Sequence, residues 1–436
     1  METDFSADGY WWDSSKPDKK YGGILEYKKD SYTRLRLFGT LNDWFKGELY
    51  IRKIDTIHGK TSDGKQYTLF RNLVESSNSI LFKSTGGYLV MIATYLLEGH
   101  HFQSYDDVVL DSISCNLSNL DNWLNIDLFS KSYDRNDNSI KLTFNPICIF
   151  QKNIESINSK LEIYLENRVE KTNNKLSLGI PFIKIAPVIK QSLDWFIGKI
   201  YDLQNLLTLF VGEQTRRNII TAAYSSPVRD MKDDSKVINI FLNNRTKFRE
   251  MSIDKMLIPS KLIKEKLGEI LEKWFLINNE IRQDINTFLS SFNNDQENIE
   301  TRFLNCVFSL EGIYRYYKIN DTKKDSVKSI LKEATLDLFS GIESNYISLF
   351  IKNQDTFAES VRLYRNHLAH QNRDTIIPDL HDLMIFTLRL QLFMNLKLLK
   401  MIGIEYEIMF KRIGDFGLFS SLSSTNAPGI NIRKKK

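Results

Sequence analysis

Residues 355–370 read DTFAESVRLYRNHLAH, and this stretch decides how the C-terminal half of the chain is built. At about 100° per residue, Phe357, Val361, Tyr364 and Leu368 fall within roughly 60° of one another, an apolar stripe suited to packing into a bundle. Glu359, Arg362, Asn366 and His370 fall on the opposite side. Arg365 sits between the stripes, about 140° from His370 on a straight helix. Such a polar side is ordinarily a solvated helix face, and periodicity alone supports only that reading. The same three- and four-residue spacing runs through segments 260–290, 297–317, 326–340 and 379–403. From Ser260 onward the sequence therefore predicts four or five amphipathic helices, a bundle of roughly 150 residues.

The front half reads differently. RLRLFGTL (34–41), GELYIRKI (47–54), KQYTLFRN (65–72), YLVMIATYLL (88–97), SIKLTFNP (139–146) and KLEIYLENRV (160–169) are short alternating segments separated by turn residues, the pattern of strands. Asp63-Gly64 is a favoured hairpin turn between two of them. The fold class expected is α+β and multidomain: a β-rich N-terminal domain over 1–188, a sandwich or open barrel, followed by an all-α bundle over 255–411. Between them, 189–254 reads as a junction, helical over 189–211 with one returning strand at KVINIFLNN (236–244). No Pro- or Ser-rich linker separates the halves, so a shared interface is expected instead of a tether. Residues 412–436 form a tail that ends in Asn431-Ile432-Arg433-Lys434-Lys435-Lys436. Such tails are as a rule solvated and disordered, with phosphate or RNA contact the alternative.

Composition narrows the function classes only slightly. The chain has 436 residues, 42% of them hydrophobic, and 59 basic against 54 acidic residues give a formal charge of +5, which permits nucleic-acid binding without announcing it. Cys115, Cys148 and Cys306 are too far apart for metal-ligand spacing and odd in number for a disulfide framework, which suits a reducing cytoplasm. No apolar run reaches the roughly 18 residues of a membrane span, and METDFSADGYWWD lacks the order of a signal peptide. A soluble cytoplasmic protein is expected, with no membrane partner. Walker loops, G-x-G-x-x-G, G-x-S-x-G and H-E-x-x-H are absent from the sequence, so no cofactor is expected. Gly22-Gly23 and Gly86-Gly87 read as turns. Tyr10-Trp11-Trp12 with Lys16, Lys19 and Lys20 pairs aromatics with cations, an arrangement that can stack bases; an N-terminal arm docking its aromatics on the body is the commoner case. His58, His100 and His101 show no partner pattern.

The chemistry-bearing candidates lie in RNHLAH (365–370). The order R-N-x-x-x-H at the end of an amphipathic helix resembles the R-x4-6-H motif of HEPN ribonuclease domains, whose arginine is typically followed by a polar residue such as Asn366. More narrowly, ETRFLNCVFSLEGIYRYY followed by ESVRLYRNHLAHQN resembles ApeA-like anti-phage proteins, and the β-rich half with HGKTSDGKQYTLF (58–70) is similar to their N-terminal domain. The resemblance covers nearly the whole chain. It implies a homodimer through the C-terminal bundle, from about residue 255, with two motifs facing each other and cutting RNA, such as tRNA or another cellular RNA, without a metal. It also implies an N-terminal domain that senses a phage-derived trigger or restrains the effector. Arg365, Asn366 and His370 are then the catalytic candidates. Histidine near its ordinary pKa of about 6.5 serves as acid or base, and a permanently charged guanidinium forks onto phosphate oxygens. Asn366, about one turn before His370, can orient the imidazole or hold a phosphate oxygen. His367 and His370 form an H-x-x-H pair, but no third ligand offers a zinc constellation, so His367 reads as a packing or dimer-rim residue. His381, beside Asp382, reads as an exposed helix-start histidine or as a partner to the site. The alternative function is a non-catalytic HEPN-like module for dimerisation or nucleic-acid binding, with residues 365–370 a polar interface.

Overall fold

Alternation in the front half becomes seventeen strands in the computed structural model, which describes residues 4–39, 53–78, 88–126, 129–134, 139–144, 148–170, 175–225, 236–243, 248–292, 298–318, 327–370, 379–417 and 419–423. The chain is α+β and divides into two compact units. The first comprises Met1–Ser118, Asp127–Tyr201 and Arg216–Thr246; the second comprises Asn119–Ile126, Asp202–Thr215 and Lys247–Lys436. The strands are β1 (Phe5–Asp13), β2 (Tyr21–Tyr27), β3 (Thr33–Phe38), β4 (Lys53–Thr61), β5 (Gln66–Asn78), β6 (Tyr88–Ala93), β7 (Tyr95–Glu98), β8 (Val109–Leu110) and β9 (Ser112–Leu117). They continue as β10 (Phe129–Asp134), β11 (Ser139–Phe144), β12 (Cys148–Ile154), β13 (Ser159–Glu170), β14 (Lys175–Pro187), β15 (Gln191–Ser192), β16 (Arg217–Tyr224) and β17 (Lys236–Leu242). The helices are α1 (Leu120–Leu124), α2 (Leu193–Val211), α3 (Leu267–Ser290), α4 (Ile299–Lys318), α5 (Val327–Asp337), α6 (Ser344–Ser348), α7 (Gln354–His370), α8 (Leu380–Met401) and α9 (Tyr406–Phe416).

Thirteen strands share one sheet in the order β12-β13-β14-β9-β16-β17-β7-β5-β4-β1-β2-β3-β6, and β6 returns to pair with β5. Six antiparallel strands therefore close into a ring, which leaves none of them as an unpaired edge. The thirteen-residue β5 makes this closure possible: Tyr67–Phe70 pair with β7, whereas Leu73–Asn78 pair with β6. Between those two runs Arg71 takes φ 54°, a left-handed conformation that is costly for a residue with a Cβ. Its guanidinium is held 4.4 Å from the centre of the Tyr105 ring, 5.2 Å from that of Tyr95 and 3.3 Å from the Asp194 carboxylate.

Two-residue alternation on β2, β3 and β6 fills much of the ring. Leu25 and Tyr27 on β2, Leu35 and Leu37 on β3, and Leu89, Met91 and Ala93 on β6 point inward with Trp11, Ile57, Tyr67 and Leu69, as a half-buried strand demands. The Trp11 indole donates from Nε1 to the Gly23 carbonyl at 3.2 Å. A Cβ on Gly59 would stand 2.1 Å from that indole, so β4 admits the tryptophan only because it carries glycine there. Gly59→Ala should overpack the ring and cost about 1–3 kcal/mol, read as a lowered urea midpoint of the full chain. An unchanged midpoint would mean that the indole moves aside freely.

Several readings of the sequence change at this level. Gly22-Gly23 is not a turn: both residues lie inside β2, where Gly23 pairs with Gly9 and a Cβ would meet the Arg36 carbonyl oxygen at 2.6 Å. Tyr10-Trp11-Trp12 is not a docked arm but the end of β1, paired with β2 and β4. Asp63-Gly64 does make the β4–β5 turn, with Gly64 at φ 84° and its N–H donating to the Thr61 carbonyl at 3.0 Å. The region read as a junction holds two strands, β16 and β17, in the middle of the large sheet. Gly86-Gly87 and the tail Asn431–Lys436 lie outside the described residues.

The second unit is helical. Helix α2 contributes Asp202–Val211 to it, and buried Asp202 ties that segment in: Trp274 Nε1 donates to its carbonyl at 2.8 Å, while Asn278 Nδ2 and Arg282 Nη2 each reach its carboxylate at 2.7 Å. Trp123 on α1 donates to the Ile258 carbonyl at 2.7 Å and stacks on Phe210. Helix α3 departs from helical geometry at Ile281 (φ −118°, ψ 29°). Among the described residues no helix is long and apolar enough to cross a membrane.

Candidate active site

Helix α7 starts on Asn353, whose side-chain oxygen accepts from the Thr356 N–H at 2.8 Å, a cap that satisfies one of the unpaired donors of the first turn. The sequence places three large apolar residues of α7 one or two turns apart, and Phe357, Val361 and Tyr364 are indeed buried. Tyr364 packs edge-on to Phe303 of α4 and Phe386 of α8. Leu368, the fourth member of the stripe, is only half-buried. The stripe holds the helix by one face and fixes the direction in which its other residues point.

On the other face the two arginines have separate fates. Arg362 is committed locally: its Nε donates to Glu359 Oε2 at 3.0 Å and its Nη2 to Glu359 Oε1. That guanidinium holds the Glu359 carboxyl below the usual carboxylate range. Arg365, projected between the stripes, meets Glu311 of α4 instead, with 3.9 Å from Nε to Oε1 and side chains only 18% and 13% exposed. At that distance the contact is an ion pair and not a hydrogen bond. Arg365 Nη1 donates to the Asn366 side-chain oxygen at 3.3 Å. The structure thus brings Arg365 and Asn366 together at the half-buried seam between α4 and α7. His370 is the last residue of α7, and its side chain lies outside the described residues.

Glu311 is the residue that sequence reasoning missed. It lies 54 positions before Arg365, on another helix, and nothing in its own segment marks it as a partner. A carboxylate facing a guanidinium in poorly solvated surroundings restricts its orientations. Tyr364 adds a second feature: burial, and then the charge of Asp382, push its phenol up to about 12, so it stays protonated near neutral pH. His367 is half-buried beside the motif. His381 is exposed at the start of α8, its backbone N–H donating to the Asp379 carboxylate at 2.8 Å, the helix-start placement. Among the described residues no group of three or more His, Cys, Asp or Glu side chains has the arrangement of a metal site.

Comparison with known proteins adds one match. The family model described as ApeA N-terminal domain 1 matches residues 6–274, well over half of the chain. The chain belongs to the ApeA family. The ApeA match takes in the closed ring, the rest of the large sheet and α2, and it ends at Trp274 on α3. Helix α7 and its arginine–histidine motif therefore lie beyond the matched region. No curated protein and no solved structure matches the chain.

Proposed function

We propose that the chain is a metal-independent RNA endonuclease of the HEPN type, acting in anti-phage defence by abortive infection, with Arg365, Asn366 and His370 as its catalytic residues. The observation that carries this reading is the arrangement of α7, which packs by one face and holds Arg365 beside Asn366 on another, one turn before the terminal His370. Membership of ApeA, a family associated with anti-phage defence, supports the cellular role.

The reaction needs three things. A base removes the proton of a ribose 2′-hydroxyl, whose oxygen attacks the adjacent phosphorus. An acid protonates the departing 5′-oxygen. A cation stabilises the pentacoordinate phosphorane, and a guanidinium suits its paired equatorial oxygens. One histidine cannot be base and acid in the same step. A homodimer through the helical half supplies two, and it also removes the angular problem of Arg365 and His370 pointing apart on one helix. The β-rich domain then acts as sensor or restraint, with a phage-derived component as its trigger, since uncontrolled RNA cleavage harms the host.

The sequestered Arg365–Glu311 pair favours one rival, in which the arginine has a structural role and the helices serve only dimerisation or nucleic-acid binding. The two readings separate on chemistry. Purified protein incubated with total cellular RNA should yield fragments with 2′,3′-cyclic phosphate and 5′-hydroxyl ends, undiminished by a chelator, because the attacking oxygen is the substrate's own. Fragments with 5′-phosphate ends that disappear with chelator would overturn the mechanism. Because a restrained enzyme is silent in vitro, growth arrest on expression in the presence of phage is the companion measurement.

A further inference from the structure

We propose that the outer wall of the closed ring is a nucleobase-binding site, in which an unpaired base stacks across Gly22 between Tyr10 and Phe38 with its phosphate facing Lys20 and Lys60. This proposal is independent of the ribonuclease reading and concerns a different unit of the chain. The starting point is a cavity of about 520 Å³ on strands β1, β2 and β4, with Phe38 of β3 at its side.

Register builds the slot. Alternation that sends Trp11 inward turns Tyr10 outward, and Tyr10 pairs with Gly22 on one side and Lys60 on the other. Gly22 in turn lies beside Phe38, whose ring carbon would be 3.8 Å from a Cβ built there. One row across four strands therefore reads Lys60, Tyr10, Gly22, Phe38. Neighbouring strands are about 4.8 Å apart, which puts the Tyr10 and Phe38 backbones about 10 Å apart with nothing but a glycine between. A planar ring sandwiched between two others needs about 7–8 Å at ordinary carbon contact distances.

The glycine floor is not explained by packing. A Cβ at Gly9 or Gly23 would collide with neighbouring backbone, but a Cβ at Gly22 would touch only the Phe38 ring, at an ordinary contact distance of 3.8 Å. The position has room and is left bare. Above it the two rings stay in solvent, Tyr10 at 64% and Phe38 at 56% exposure, although large aromatics that serve only the core are buried.

Charge selects the kind of planar ligand. Lys60 stands at one end of the row, and Lys20 lies 4.9 Å from the centre of the Trp12 ring in the same cavity. Trp12 itself is fixed, edge-on to the rings of His58 and His101. Two cations flanking an aromatic slot match a stacked base with its phosphate, the combination by which sheet surfaces hold single strands. The Asp8 carboxylate on the rim, which accepts from the Ser62 hydroxyl at 3.4 Å, is placed to receive an exocyclic amine or a sugar hydroxyl. A free nucleotide and an unpaired nucleotide within a strand share this chemistry.

The test uses the full-length chain and a fluorescein-labelled single-stranded DNA of about twelve nucleotides. Lacking a 2′-hydroxyl, it cannot be cut by in-line attack of the neighbouring oxygen. Saturable anisotropy is expected, weakened about tenfold or more by Tyr10→Ala or Phe38→Ala. Lys20→Ala and Lys60→Ala should each reduce the salt dependence of binding. Gly22→Ile fills the slot while keeping both aromatic residues in the sequence and should weaken binding comparably, which covers the case in which an aromatic variant misfolds. Adenosine monophosphate as competitor separates the sources: full displacement means a free-nucleotide site, and no displacement means a strand site. Absence of binding by both probes up to about 1 mM, or unchanged affinity in Phe38→Ala and Gly22→Ile proteins with intact circular dichroism, would overturn the proposal.

Discussion

His370→Ala should lower RNA cleavage by about 10²- to 10⁴-fold, the usual consequence of losing a general acid or base, and should abolish toxicity in cells. The residue closes α7, and its helical projection lies on the polar side, so the substitution should cost no more than a typical surface change of about 0.5 kcal/mol. Loss of activity with an unchanged thermal midpoint would therefore report chemistry and not folding. Arg365 needs a different design. Its alanine variant removes the transition-state cation but also leaves the 13%-exposed Glu311 carboxylate without the charge that faces it, at a cost of about 1–3 kcal/mol. Arg365→Lys keeps the charge opposite Glu311 while losing the planar fork that matches two phosphate oxygens. Cleavage should fall in both variants, with stability lowered mainly in alanine. Full activity in folded His370→Ala protein, or in Arg365→Lys and Arg365→Ala alike, would leave the motif a structural seam between α4 and α7 and not a catalytic site.

How much of this was legible depended on the range of the interaction that sets each feature. Helix α7 and its buried Phe357, Val361 and Tyr364 follow from a three- and four-residue period within one segment, and the Asp63-Gly64 turn follows from two adjacent residues. The closed ring does not, because β5 must reach β6 and β7 with successive parts of its length around Arg71, and no local pattern states that. Strand β16, RNIITAAY, went unread because its small alanines break the contrast between faces, although it lies centrally in the sheet. Gly22-Gly23 looks like a turn in one dimension and proves to be a place where two strands and an indole come close. His58 and His101, without a pattern in sequence, stack with ring centres 4.6 Å apart. The catalytic candidates were legible as residue types at a spacing. Glu311 was not, since an ion pair across two helices leaves no trace in either helix alone.

Asp202→Ala should destabilise the helical unit by about 3 kcal/mol, the second large effect expected. Asp202 is 1% exposed on its side chain and receives hydrogen bonds from Asn278 Nδ2 and Arg282 Nη2, both at 2.7 Å. Alanine leaves the fully buried Asn278 amide without that acceptor, and an orphaned buried donor costs its full desolvation. Arg282 is 40% exposed and can turn to water, which keeps the loss from reaching the upper end for a broken buried pair. The same contacts decide where the helical half can be cut. A protein beginning at residue 255 would lack Asp202 and also the Leu209 carbonyl that accepts from Asn395 Nδ2 at 3.2 Å, so the buried Trp274, Asn278 and Asn395 side chains would each lose a hydrogen-bond acceptor. A protein beginning at Leu193 retains both. Urea denaturation followed by circular dichroism should give a lower midpoint for Asp202→Ala than for the parent, and the shorter fragment should be less stable or less soluble than the longer. Equal midpoints for Asp202→Ala and the parent would show that the segment Asp202–Thr215 merely lies against the helices without supporting them.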